Sequence, residues 1–202
     1  MKYTVNDGFP YYIELVGNND YKALFQSEEN IKLLETLTET QASYRYAPGK
    51  WSIKQIMGHI IDHERITVYR VLRFSRKDTT PLPSYDQDLY VDTGGFDELP
   101  FSQILSDFKN VRRATNSFIE SLTPEKLALT GTAWKYELTI TEGMLDLWLQ
   151  SFYTHNPAYT SNQFASSIGK CDQGAMPLPF MMSLYLCVSM SDTHGAIYHL
   201  GF

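Results

Sequence analysis

The chain has 202 residues, 43% of them hydrophobic and 20% charged, with a formal net charge of −6. That length suits one domain with a sizeable core, and the composition is that of a globular chain rather than a disordered one. The acidic balance disfavours nucleic acid as a partner, because a phosphate backbone calls for a basic face.

The opening, MKYTVNDGFPYY, lacks the basic-then-apolar run of a signal peptide. From Asp20, the residues Leu24, Ile31, Leu34 and Leu37 give a loose helical stripe that predicts a helix to about Thr38. Pro48-Gly49 then punctuates the chain before its longest helical pattern, Trp51 to Arg76. Tyr44 and Tyr46, just ahead of it, are expected to pack on its first turn.

Within that pattern, Ser52 and Gln55 read as a capping box. Ile53, Ile56, Met57, Ile60, Val68, Val71 and Leu72 recur at spacings of three and four, the mark of a buried stripe. His59 and His63 are four apart on one helix face, with Glu64 next to them. An imidazole beside an apolar stripe with a carboxylate near is where metal binding or acid–base chemistry would begin. The plainer alternative is a core or boundary histidine whose nitrogens are satisfied by neighbours. Asp62, Glu64 and Arg65 around His63 place that residue at the surface.

After Arg76 comes DTTPLPSYDQDLYVDTGGF, read as an extended connection of about twenty residues wrapped over the core. Its Tyr85, Tyr90 and Phe96 argue for wrapping, and Asp86 and Asp88 for solvated positions. Phe101 to Leu122 is the cleanest amphipathic helix, with Phe101, Ile104, Leu105, Phe108, Val111, Thr115, Phe118, Ile119 and Leu122 on one face. Thr123-Pro124-Glu125 caps a short helix to about Leu129. Gly131 to Lys135 reads as a loop, and Tyr136 to Ile140 alternates too briefly to build a sheet. Thr139 with Glu142 opens a further helix through Met144, Leu147, Trp148 and Phe152, which Pro157 stops.

Cys171 and Cys187 form no Cys-x-x-Cys, which excludes a zinc ribbon and supports no disulfide framework. Met176 to Met190 is too short to span a bilayer and contains Pro177 and Pro179. A soluble, cytoplasmic protein without a membrane partner is the expectation. Four amphipathic helices with one long connection between the second and third predict an all-α four-helix bundle over residues 1–156, followed by a divergent, partly irregular tail over 157–202.

The order of these motifs resembles the DinB/YfiT-like superfamily. The matching stretches are YRYAPGKWSIKQIMGHIIDHERITVYRVLRFSRKDTTPLP, SYDQDLY, FKNVRRATNSFIESL and GTA…ELTIT, and the resemblance extends over roughly residues 9 to 142. The resemblance implies an up-down-down-up four-helix bundle, often a homodimer, that holds a divalent metal such as zinc or nickel through three histidines. It also implies a metal-dependent hydrolase, or a transferase using a low-molecular-weight thiol. His59 in GHIIDHE matches the family's first ligand. The other two belong on the fourth helix, where this chain has Gln150, Ser151 and Thr154, with His155 near but displaced. A catalytic zinc needs about three protein ligands and an open position, so the set of His59 and His155 is incomplete. His194 and His199, five apart, match one helical face poorly. The competing function is a non-catalytic bundle or dimerisation module that has lost its metal.

From Met144 onward the chain leaves the family pattern. Codon degeneracy offers one account, because WLQSFYTH read one nucleotide out of step can, with suitable codons, encode a glycine followed by closely spaced histidines. Residues 157–202 are expected to pack loosely, apart from an apolar helix over Phe180 to Met190, and to hold no metal. Sequencing the gene checks the frame. Amide hydrogen exchange should find little protection over 157–202, and strong protection throughout would make the tail a genuine structural element.

Overall fold

The computed structural model describes residues 14, 21–26, 28–45, 48–80, 82–133 and 136–144. The expectations for Tyr46, for helix four beyond Met144, for His155 and for the tail lie outside these residues. The described part is mostly helical. Helices α1 (Tyr21–Gln26), α2 (Glu29–Glu35) and α3 (Glu39–Ala42) lead to the long α4 (Ile53–Ser75). Beyond it come α5 (Gln87–Thr93), α6 (Phe101–Glu120), α7 (Pro124–Leu127) and the strands β1 (Thr130–Ala133) and β2 (Tyr136–Thr139).

Helix α4 forms where its periodicity predicts, and its capping box is made. Ser52 Oγ accepts from the Gln55 N–H at 3.1 Å, and the Gln55 side chain accepts the Ser52 N–H at 3.0 Å. Its apolar stripe meets that of α6, the main helix-to-helix contact among the described residues. Ile53, Ile56, Met57, Ile60 and Ile61 pack with Phe101, Ile104, Leu105 and Phe108, and Leu34 and Ala42 close the cluster from α2 and α3. The Thr139–Glu142 capping box is also present, with the Thr139 N–H donating to Glu142 at 2.7 Å and the Glu142 N–H to Thr139 Oγ1 at 3.1 Å.

Three local expectations are corrected. The helix read from Asp20 to Thr38 is broken into α1 and α2, and Thr38 starts α3 with a capping box of its own to Gln41. The connection after Arg76 is not extended throughout. Asp86 accepts the N–H groups of Asp88 and Leu89 and so nucleates α5, which buries Val91. Where Gly131 to Lys135 reads as a loop and Tyr136 to Ile140 as too short to build a sheet, Thr130–Ala133 and Tyr136–Thr139 pair antiparallel, with Thr130 opposite Thr139 and Gly131 opposite Leu138. A four-residue strand suffices there because Leu138 and Ile140 insert into the core and carry the hairpin with them. Tyr44, ahead of α4, is 38% exposed.

The connection does lie over the helices, held by polar ties at its far end. Lys54, buried on α4, donates to the carbonyls of Asp97 and Leu99 at 3.2 and 2.9 Å and pairs with Glu39. Asp97 accepts from Ser52 Oγ at 2.5 Å and pairs with Arg45. Pro100 precedes α6 and offers no side-chain cap, so Glu39 accepts the Phe101 N–H at 2.9 Å instead. The Lys54 ammonium, and then that backbone bond, hold the Glu39 carboxyl below its ordinary range. Gly58 lets the Phe96 ring lie directly on α4, where a Cβ would collide with it.

One ion pair is sealed inside. Arg112 of α6 grips Glu64 of α4 through Nε at 3.1 and 3.2 Å and Nη2 at 2.8 Å, and the carboxylate is 0% exposed. The guanidinium lies over the rings of Phe25 and Phe108, at 4.6 and 5.2 Å from their centroids. Removing one partner strands the other charge in the core. Arg112→Leu should therefore cost about 3–5 kcal/mol in urea unfolding. The double replacement Glu64→Leu with Arg112→Leu should cost less than Arg112→Leu alone.

Candidate functional site

The histidines of α4 sit where the connection crosses the helix. His59 and His63 are one turn apart, with ring centroids separated by 6.0 Å. Trp51 flanks His59 at 5.4 Å, Tyr85 follows His63 at 6.1 Å, and Tyr90 follows Tyr85 at 5.1 Å. A file of five rings thus runs from the start of α4 to the helix inside the connection.

His63 is not at the surface as its charged neighbours suggest: it is 2% exposed. A helix sorts residues by position around its axis, and Ile56, Thr67, Arg70 and Phe74 share the side of His63 whereas Arg65 does not. Both ring nitrogens are engaged. Nδ1 lies 2.8 Å from Tyr85 Oη, and Nε2 lies 3.4 Å from Thr67 Oγ1. A neutral imidazole has one N–H, so one of these contacts donates and the other accepts. Burial is the main cause that pushes the His63 pKa well down, with the charges of His59 and Arg70 adding to it.

His59 is 7% exposed, and burial lowers its pKa to about 4. Its Nδ1 is buried without a hydrogen-bond partner. That is unusual, since buried polar atoms are generally paired. A neutral imidazole with an open lone pair is the form that ligates a metal.

Glu64, the carboxylate next in sequence, is turned away to Arg112 and takes no part here. Arg70 does. It is buried on the same side of α4 as His63, and its Nη2 donates to the Pro83 carbonyl at 2.7 Å. Arg65, Arg70, Arg73, Arg76 and Lys77 alternate with apolar positions and read from sequence as a solvated basic face, which the structure corrects at Arg70, buried at 2% exposure. Arg112 drew no reading from the sequence, although its signal is present. Phe101, Ile104, Leu105, Phe108, Thr115 and Ile119 define the inner face of α6, and Arg112 falls in its middle. Tyr85 carried no such signal, because its partner lies 22 residues away.

The family model described as the DinB superfamily matches residues 26–150. The arrangement is that of a helical bundle protein with a histidine-bearing inner helix, and the chain belongs to the DinB superfamily. Among solved structures, YfiT from Bacillus subtilis is similar at 16% identity with a TM-score of 0.52, covering 74% of this chain and 82% of that one. YfiT is described as a probable metal-dependent hydrolase with an unusual four-helix bundle topology. At that identity the likeness speaks for the fold. No curated protein matches the chain.

The described residues by themselves do not fit a complete metal centre. His59 offers an orphaned Nδ1, but His63 spends both nitrogens on hydroxyls and Glu64 is spent on Arg112. No group of three His, Cys, Asp or Glu side chains that could hold a metal ion occurs among the described residues. None of the described helices is long and apolar enough to cross a membrane.

Burial of His59 has a pH signature in the metal-free protein. Below about pH 6.5 the unfolded chain takes up a proton that the folded one refuses until about pH 4. The stability present above pH 6.5 is therefore lost as pH falls to 4, by about 3 kcal/mol for His59, and His63 acts in the same direction. Urea unfolding across that window should show the loss, and His59→Gln should flatten it.

Proposed function

We propose that this chain is a DinB-type bundle of up-down-down-up order in which His59 faces a divalent metal such as zinc or nickel, as one ligand of an incomplete set. The reaction class that goes with it is metal-dependent hydrolysis or transfer to a low-molecular-weight thiol. The observation that carries this reading is the unpartnered Nδ1 of a buried, neutral His59. Membership of the superfamily and the description of YfiT support it. His155, the other candidate ligand, lies outside the described residues.

A second reading, a bundle that no longer catalyses and acts as a dimerisation module, is favoured by a different observation. Two groups near His59 in sequence that could join a ligand set are committed elsewhere, His63 to Tyr85 and Thr67, Glu64 to Arg112. A single imidazole with water leaves the coordination shell short of the three protein ligands a catalytic zinc uses.

Metal analysis of the purified protein separates the two. Zinc or nickel should bind weakly and be lost on dialysis, and calorimetric titration should lose the weak event in His59→Ala. Equimolar metal that survives dialysis and disappears in His59→Ala would establish a full site and the enzyme reading. No metal response in the wild type would leave the non-catalytic bundle.

A further inference from the structure

Two arginines are buried in the described part of this fold, and only one has a counter-ion. Arg112 has the Glu64 carboxylate and two aromatic faces. Arg70 is 2% exposed, holds the Pro83 carbonyl with Nη2, and leaves Nη1 buried with no hydrogen-bond partner. We propose that Arg70 is the anion-recognition residue of the site on α4, and that the molecule this site takes carries a carboxylate. The inference rests on reading this face of α4 as the binding site, and it names the substrate class.

An unpaired cation in a protein interior is costly, and a native chain keeps one where something outside the fold completes it. Burial lowers the Arg70 pKa only to about 10, so the guanidinium is charged at neutral pH. The titratable groups that act on it do not neutralise it. His63 is held neutral by its burial and by the Arg70 charge, and the Tyr85 phenol is hydrogen-bonded to His63. Among the described residues no carboxylate pairs with Arg70.

The surroundings suit a small ligand. Arg70 lies two turns beyond His63 on α4, a rise of about 10 Å between backbones, and a helical side chain leans back toward the N-terminus. A carboxylate on Nη1 would therefore sit within a small molecule's length of the His59 and His63 rings. Pro83, whose carbonyl takes Nη2, and Ser84 beside it in sequence are exposed. With Nη2 already committed, Nη1 alone offers its N–H groups, which matches a singly charged carboxylate better than a phosphate dianion that needs more donors.

The test uses the full chain, stripped of metal with a chelator, at constant ionic strength. Propionate and benzoate serve as carboxylate probes, with phosphate and chloride as separate arms. Thermal unfolding of the wild type should rise saturably by a few degrees with the carboxylates, and Arg70→Gln should lose that response. As a check that needs no variant, the Arg70 guanidinium NMR signals of the wild type should shift over the same concentrations. No saturable response to either carboxylate, an equal response in Arg70→Gln, or a response to phosphate or chloride alone would overturn the proposal. His59→Ala keeps these readings separable. If it abolishes metal binding and leaves the carboxylate response, both stand. If the wild type binds metal through His59 but ignores carboxylates, only the Arg70 assignment fails.

Discussion

The buried pair between Glu64 and Arg112 is the constraint on which the rest of the described structure depends. It joins the two longest helices at mid-length, where each contributes an otherwise apolar stripe. Three nitrogen–oxygen contacts and two stacked rings satisfy the charges that burial would otherwise penalise. Apolar side chains allow one helix to slide a turn along another at small cost, whereas a bidentate pair has one geometry. The pair therefore sets the register of α4 on α6. It also decides the chemistry of the site, since it removes from the neighbourhood of His59 the carboxylate that sequence proximity offers.

With that register set, the connection can be fastened across α4. Its far end is tied to the helix start by Lys54, Ser52 and Arg45, all converging on residues 97–99. Gly58 removes the one side chain that would hold Phe96 off the helix. The near end hangs on Arg70 through Pro83 and on His63 through Tyr85. The same crossing that covers the core thus supplies the phenol and the carbonyl that line the histidine face. Fold and candidate site share these bonds.

Burial gives the histidines their character. Both are neutral at physiological pH because the imidazolium form would lose its hydration. What separates them is the second partner. His63 is pinned from both sides, whereas His59 keeps a nitrogen unspent between Trp51 and the rest of the file. Equal burial with unequal satisfaction marks His59 as the residue with unused binding capacity.

The sequence by itself determined the elements whose signal is local. The capping boxes at Ser52 and Thr139, the cap at Thr123 and the three-four spacing of α4 and α6 all rest on residues within a turn or two of one another. The family resemblance, carried by those same stretches, agrees with the match over residues 26–150. Only the tertiary structure decided what depends on contacts far apart in the chain. His63 is buried because Tyr85 and the connection close over it, and the charged residues beside it in sequence point elsewhere on the helix. Glu64 is withdrawn from the site by a residue 48 positions away, and Arg70 meets no carboxylate among the described residues. Short-range periodicity reports which side of a helix faces inward, while the partner waiting there is set by how the helices and the connection pack.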